Sequence, residues 1–222
     1  MKTGISIFTC LLILSLTACK PDLQFPVTDG HQHTHVDLNT GGLPPMIIPA
    51  ENPLSVEGIA LGRKLFYDNL LSANNTMNCG SCHQLRNYFV DSNLALSVGI
   101  DGIAGTRNSM PLFNIGYSKK FFWDGGAADL ESQVMGPITN PVEMHETMAN
   151  VVNKLQSHPQ YPSLFKQAFG TDVVTSKLIF FAIAQFERTH RWRQDQRELV
   201  DAAQPGSHER IPPIGGLGVS GL

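Results

Sequence analysis

Cys79-Gly80-Ser81-Cys82-His83 places two thiols three positions apart, with an imidazole directly after the second. Covalent attachment of a haem through two thioether bonds requires this pattern. The sulfurs must reach two vinyl groups on one porphyrin edge, and the next residue must turn its ring beneath the iron. A thiol pair at this spacing also serves in zinc sites and in thiol–disulfide exchange. Zinc needs further thiolates or a paired-histidine motif, and a redox pair expects a preceding strand in a βαβ unit. Neither context surrounds this segment. It is therefore read as a c-type haem site, with Cys79 and Cys82 as the anchors and His83 as the axial ligand of the iron.

Upstream, Lys2 precedes an apolar run from Ile5 to Leu16 that closes on Leu16-Thr17-Ala18-Cys19. The run is short for a membrane span and reads as an export signal. It resembles a bacterial lipoprotein signal, in which the closing cysteine is acylated, so Cys19 is the expected lipidation site and a lipid-anchored periplasmic location is expected. Cys10 leaves with the signal, Cys19 takes lipid, and Cys79 and Cys82 take haem, so none of the four cysteines remains for a disulfide. Haem attachment of this type is normally made outside the cytoplasm, and the two readings agree. Net charge is -3, with 42% hydrophobic and 16% charged residues. That composition supplies a core and offers no basic field for nucleic acid.

Residues 19–52 are rich in Pro, Gly, Thr and Asp without periodicity and are expected to be a linker. His31, His33 and His35 alternate within it, but alternate histidines without a fixed backbone make a weak metal site. Helical signals begin at Ser55, an N-cap candidate, with Val56, Ile59, Ala60, Leu65 and Phe66 at helical spacing. Asp68 to Asn78 is polar loop. From His83 to Gly116 there is little periodicity, and so long a loop is most simply a wrap around a flat cofactor. Phe121 reads as core. Met144 to Leu155 and Tyr161 to Phe169 read as helices, and a last one runs from an N-cap at Thr175 to about Thr189. No β alternation of any length occurs, so the expected class is all-α.

Taken together, Leu61-Gly62-Arg63-Lys64-Leu65-Phe66-Tyr67-Asp68, the haem motif, Arg107-Asn108, Phe121 to Gly125, Gly136-Pro137-Ile138, Asn140 to Met144, and Ala182 to Thr189 resemble the N-terminal half of the bacterial di-haem cytochrome c peroxidase and MauG-like family. The match runs from about Pro53 to Thr189. It implies a cytochrome c-like helical domain with long haem-wrapping loops at 53–189, preceded by a signal at 1–18 and the linker, and followed by an atypical tail at 190–222 expected to be disordered. The implied reaction is reduction of hydrogen peroxide with electrons from a small periplasmic donor such as a cytochrome c.

The resemblance makes Glu143 the acid-base residue, with Gln133 and Pro137 beside it in the pocket. Peroxide reduction needs a carboxylate that takes a proton from one oxygen and returns it to the other. By position alone, Glu143 would pass for a surface glutamate favoured at a helix start. Trp123 corresponds to a tryptophan between two haems, and Asn108 to a calcium ligand at a domain junction. Three departures stand out. Ser97-Val98-Gly99 is followed by Ile100 where many relatives carry a removable histidine ligand, which implies an open iron. Gly126 stands where an arginine is usual. A single CxxCH is present, so one covalent haem c is expected, with turnover impaired by the lack of a second. Two other classes stay open: a mono-haem electron carrier, in which Met110 or Met144 completes the iron's coordination, and a fragment without function.

Overall fold

The computed structural model describes residues 33–38, 43–91 and 94–190. The signal, Cys19, His31 and residues 191–222 lie outside the described residues.

Ser55 starts α1 (Val56–Phe66) by accepting the Gly58 N–H on its hydroxyl, while Glu57 lies in the first turn and Arg63 and Lys64 in the last. Each placement complements the helix dipole. The helix buries Ile59, Leu61, Leu65 and Phe66. Its main partner is α7 (Ser176–Arg188), capped as expected by the Thr175 hydroxyl and burying Ile179, Ala182, Ile183 and Phe186. Gly62 sets how close the two helices come. A Cβ there would lie 1.9 Å from the Ala182 carbonyl oxygen, and one at Gly58 would lie 2.2 Å from the Gln185 amide. Only residues without side chains allow the backbones to meet this way.

Between these helices run α2 (Cys79–Cys82), α3 (Leu130–Gln133), α4 (Met135–Thr139), α5 (Met148–Ser157) and α6 (Tyr161–Phe169). Among the described residues there is no strand, only isolated bridges such as His35 with Ser55. The all-α reading holds. The expected loop at 68–78 contains a short 3-10 turn, Asn69–Leu71, whose Leu71 is fully buried. The α6 span matches its expected bounds, and the Tyr161 hydroxyl bonds the Asp68 carboxylate. The helix expected from Met144 starts four residues later. The Met144 and Glu146 N–H groups donate to the carbonyls of Pro137 and Ile138, and His145 is left-handed at φ +49, so Thr147 becomes the cap.

Two boundaries move. Residues 33–38, expected within a linker, pack on the domain: Val36 N–H donates to Leu54 O at 3.1 Å, Val56 N–H donates to Thr34 O at 3.0 Å, and Val36 and Leu38 are buried. Two apolar side chains two positions apart suffice to dock this short stretch. At the other end, His190, expected to open a disordered tail, is buried, with its ring stacked on Phe89 at 3.9 Å and edge-on to Phe66 and Phe186.

A buried polar network ties the N-terminal segment to α3 and α7. Gln185 Nε2 donates to Asn52 Oδ1, and Asn52 Nδ2 donates to Glu131 Oε1. Arg188 grips Glu131 with two bonds of 2.7 and 2.9 Å. Burial acts to raise the Glu131 pKa, but Arg188 and Asn52 hold it below its ordinary value. Arg188→Met strands this carboxylate, and the expected loss is about 3–5 kcal/mol in denaturant unfolding. Glu131→Leu/Arg188→Met is expected to regain most of it, since the stranded charge goes with its partner.

Candidate cofactor site

The haem motif lies on α2, a single turn held by its neighbours. The Asn78 N–H donates to the Ser81 hydroxyl, Asn78 Nδ2 donates to Asn69 Oδ1 at 2.7 Å, and Gly80 abuts the Tyr67 ring so closely that a Cβ would sit 2.6 Å from it. The chain then reverses through a 3-10 turn at Leu85–Asn87 and two consecutive left-handed residues, Tyr88 at φ +58 and Phe89 at φ +60. Non-glycine residues rarely adopt this conformation, at a cost of about 1–3 kcal/mol each, and it is kept where surrounding structure demands it. Here the demand is visible. The reversal brings the Phe89 carbonyl to 2.9 Å from His83 Nδ1. A carbonyl only accepts, so Nδ1 carries the proton and Nε2 keeps the lone pair, which is the state of a histidine ready to bind a metal. Burial pushes the His83 pKa down, favouring that neutral ring, while backbone bonds at Phe89 and Met110 act against it.

Cys79, Cys82 and His83 line one cavity of about 550 Å³. Its inner wall is apolar, made by side chains such as Ile115, Phe121, Val134, Ile138 and Ile183, and Phe121 is core as expected. Burial raises the pKa of both thiols, most of all Cys79. Redox-active cysteine pairs show the opposite shift. Two neutral thiols, one oriented imidazole and a large apolar cleft form a donor set that fits a haem c. Among the described residues no group of three or more His, Cys, Asp or Glu gathers for a bare metal ion.

The remaining expected residues reach the same cavity. Gln133, from the end of α3, and Pro137, in α4, line it together with Glu143. Glu143 is held by a local turn: Asn140 Nδ2 donates to its Oε1 at 2.8 Å, and its own N–H donates to the Asn140 carbonyl. Burial raises its pKa, with the Asn140 bond opposing. Trp123 stands at the rim, 57% exposed, with its indole N–H donating to the Asn108 carbonyl at 3.0 Å. That contact is made by the Asn108 main-chain carbonyl. Beside them Arg107 pairs with Asp124 at 2.7 Å. Met110 and Met144 line the cavity as well.

The loop at 97–105 closes on the Glu143 segment. The Ile100 N–H donates to the Glu143 carbonyl at 2.9 Å, and Asp101 pairs with His145 at 2.6 Å. Gly99 permits the approach, since a Cβ there would meet the Val142 carbonyl oxygen at 2.2 Å. Among the lining residues without a role in the sequence reading, Glu187 carries an ionisable group. Glu187 belongs to the final quoted motif, and its signal was its spacing, four positions after Ile183 on the apolar face of α7.

The sequence profile of the family described as di-haem cytochrome c peroxidase matches residues 56–198. The chain is 37% identical over 142 residues to the methylamine utilization protein MauG of Methylorubrum extorquens, covering 64% of this chain and 40% of that protein. It is 40% identical over 142 residues to the cytochrome c551 peroxidase of Nitrosomonas europaea, covering 64% and 42%. A crystal structure of a MauG-like protein associated with microbial copper homeostasis superposes with a TM-score of 0.64 at 30% identity, covering 73% of this chain and 49% of that one. The chain spans less than half the length of these curated relatives.

Gly99→Ala is expected to force the loop off the Val142–Glu143 backbone, at a cost of about 1–3 kcal/mol in unfolding free energy. Amide exchange at Ile100 is expected to accelerate, because its bond to the Glu143 carbonyl is the first to open. An Ile100 amide protected as in the wild type would show that the contact does not hold the loop.

Proposed function

This chain belongs to the di-haem cytochrome c peroxidase family, and on that premise we propose that it is a haem c oxidoreductase of peroxidase type. Its substrate is hydrogen peroxide, and its electrons come from a small periplasmic donor such as a cytochrome c. The observation that carries this reading is one cavity lined by an oriented histidine, two neutral thiols and a burial-shifted carboxylate.

Cys79 and Cys82 would hold the haem by two thioether bonds, and His83 would offer Nε2 to the iron because Nδ1 is committed to the Phe89 carbonyl. The haem, when bound, supplies the iron at which peroxide is reduced. Every other task falls to the chain. Reducing one peroxide to two waters consumes two electrons and two protons. Asn140 occupies Glu143 Oε1, which leaves Oε2 to take a proton from one peroxide oxygen and return it to the other as that oxygen departs. The raised pKa brings the carboxyl nearer the pH at which such a group works in both directions. Gln133 lines the same cavity and brings an amide to it. At the rim, the bond to Asn108 fixes the Trp123 ring between cavity and solvent, a suitable entry for an electron.

Replacing Cys79 and Cys82 together by alanine is expected to give a folded chain without covalent haem. Haem stain on a denaturing gel checks this, and retained stain would refute the attachment. Glu143→Gln is expected to keep haem loading and slow peroxide consumption by about a hundredfold, the usual scale of general acid-base catalysis. An unchanged rate would remove the carboxylate from the chemistry.

A further inference from the structure

Besides Glu143 and the Arg107-paired Asp124, the cavity is lined by a third carboxylate, in surroundings unlike theirs. Glu187 lies one helical turn after Ile183 on α7, and both side chains form its inner wall. The residue is 4% exposed, and its Oε2 is buried without a hydrogen-bond partner. The adjacent cation does not neutralise it, because Arg188 Nη1 and Nη2 both bond Glu131. Cys79 of α2 and Glu131 of α3 are the other ionisable groups that face it, and neither carries positive charge. Burial therefore pushes its pKa up to about 8, with Arg188 opposing and Glu131 reinforcing. A buried acid without a partner is costly unless whatever fills the cavity answers it.

We propose that Glu187 is a redox-linked proton site, taking up one proton from solvent when the haem gains an electron and releasing it when that electron leaves. The balance is simple: one electron arrives from the donor, one proton converts the carboxylate to the acid, and the charge of the cavity is unchanged. Glu187 and Cys79 line the same cavity, and Glu187 is near enough to help keep the Cys79 thiol neutral, so the acid lies toward the anchored edge of the cofactor, where low polarity strengthens such coupling. The oxidised cofactor is the more positive form and favours the carboxylate, whereas the reduced form favours the acid. The midpoint potential must then fall as pH rises, until the reduced form also loses its proton.

The inference rests on the haem reading above and adds the residue that ties the cofactor's potential to pH. The test is spectroelectrochemical titration of the haem-loaded chain from mildly acidic pH to above pH 8, in a Glu143→Gln background that silences the other cavity carboxylate whose pKa burial raises. Within the window, the reduction equilibrium is expected to change by up to tenfold per pH unit, which is about 59 mV for one electron. Adding Glu187→Gln is expected to flatten the dependence, and Glu187→Asp to keep it in a displaced window. A midpoint independent of pH in the Glu143→Gln protein overturns the proposal, and so does an unchanged slope in Glu187→Gln. Should Glu187→Gln fail to take haem, Glu187→Asp decides: a displaced window supports the assignment and an unmoved one overturns it. Failure of the underlying reading looks different, as a chain without covalent haem stain, and it overturns both.

Discussion

The close crossing of α1 and α7 is the constraint on which the rest of the molecule depends. Gly62 leaves the Ala182 carbonyl room to touch the α1 backbone, and Gly58 leaves room for the Gln185 amide. Dense packing of this kind cannot relax by fractions of an ångström without cost. It fixes α1 and α7 relative to each other, and with them the two sides of the cavity, because α1 leads into the haem motif and α7 carries Ile183 and Glu187 to the cavity. The buried polar network then sets the helical register: Gln185 also accepts the Ser55 N–H at 3.0 Å, so the start of α1 and the middle of α7 share a hydrogen bond. A slip of α7 by one residue would leave Asn52, Glu131 and Arg188 buried without partners.

On this frame the histidine is oriented at the expense of local strain. Tyr88 and Phe89 are both left-handed, an arrangement that an isolated peptide would abandon. Packing holds it. The Phe89 ring stacks on His190 and meets Phe66 edge-on, so the residue whose carbonyl orients His83 is clamped by the same aromatic cluster that closes α1 on α7. His190 is neutral in this cluster, since burial drives its pKa down to about 3, assisted by nearby His83. The imidazole of the haem motif is thus fixed through the fold's core rather than by its own loop.

Much of this was legible in the sequence, and the limits have physical reasons. Helices α1 and α7, each with a hydroxyl cap and an apolar stripe, and α6, with its apolar stripe and closing Gly170, were readable to within a residue, because cap and periodicity are local signals. The start of α5 was not, because carbonyls of α4 captured the Met144 and Glu146 amides, a tertiary competition that no local pattern announces. The docking of Val36 and Leu38 and the burial of His190 escaped for the same reason: each residue sits in polar sequence and is buried by partners far along the chain. At the site, the spacing of Cys79, Cys82 and His83 was decisive, whereas Glu143, Gln133 and Pro137 were found through resemblance and brought together only by the fold. Glu187 stood in view within a quoted motif. Its helical phase placed it beside Ile183, and reading phase as well as motif would have aimed it inward.

The two sides of the cavity are built to different tolerances. The anchoring side rests on helix crossing, the aromatic clamp and the polar network, all of which involve residues distant in sequence. The acid itself is held locally. Glu143 is positioned by Asn140 three residues earlier, and the covering loop is attached through the Ile100 amide, the Gly99 approach and the half-exposed Asp101–His145 pair. The half-exposed Asp101–His145 pair contributes little to stability, so that part of the loop can shift at smaller cost than the buried core on the other side. That division suits the proposed chemistry. A covalently held cofactor needs its ligand in one place, whereas an acid that receives and returns a proton must follow a substrate whose oxygen atoms separate during the reaction.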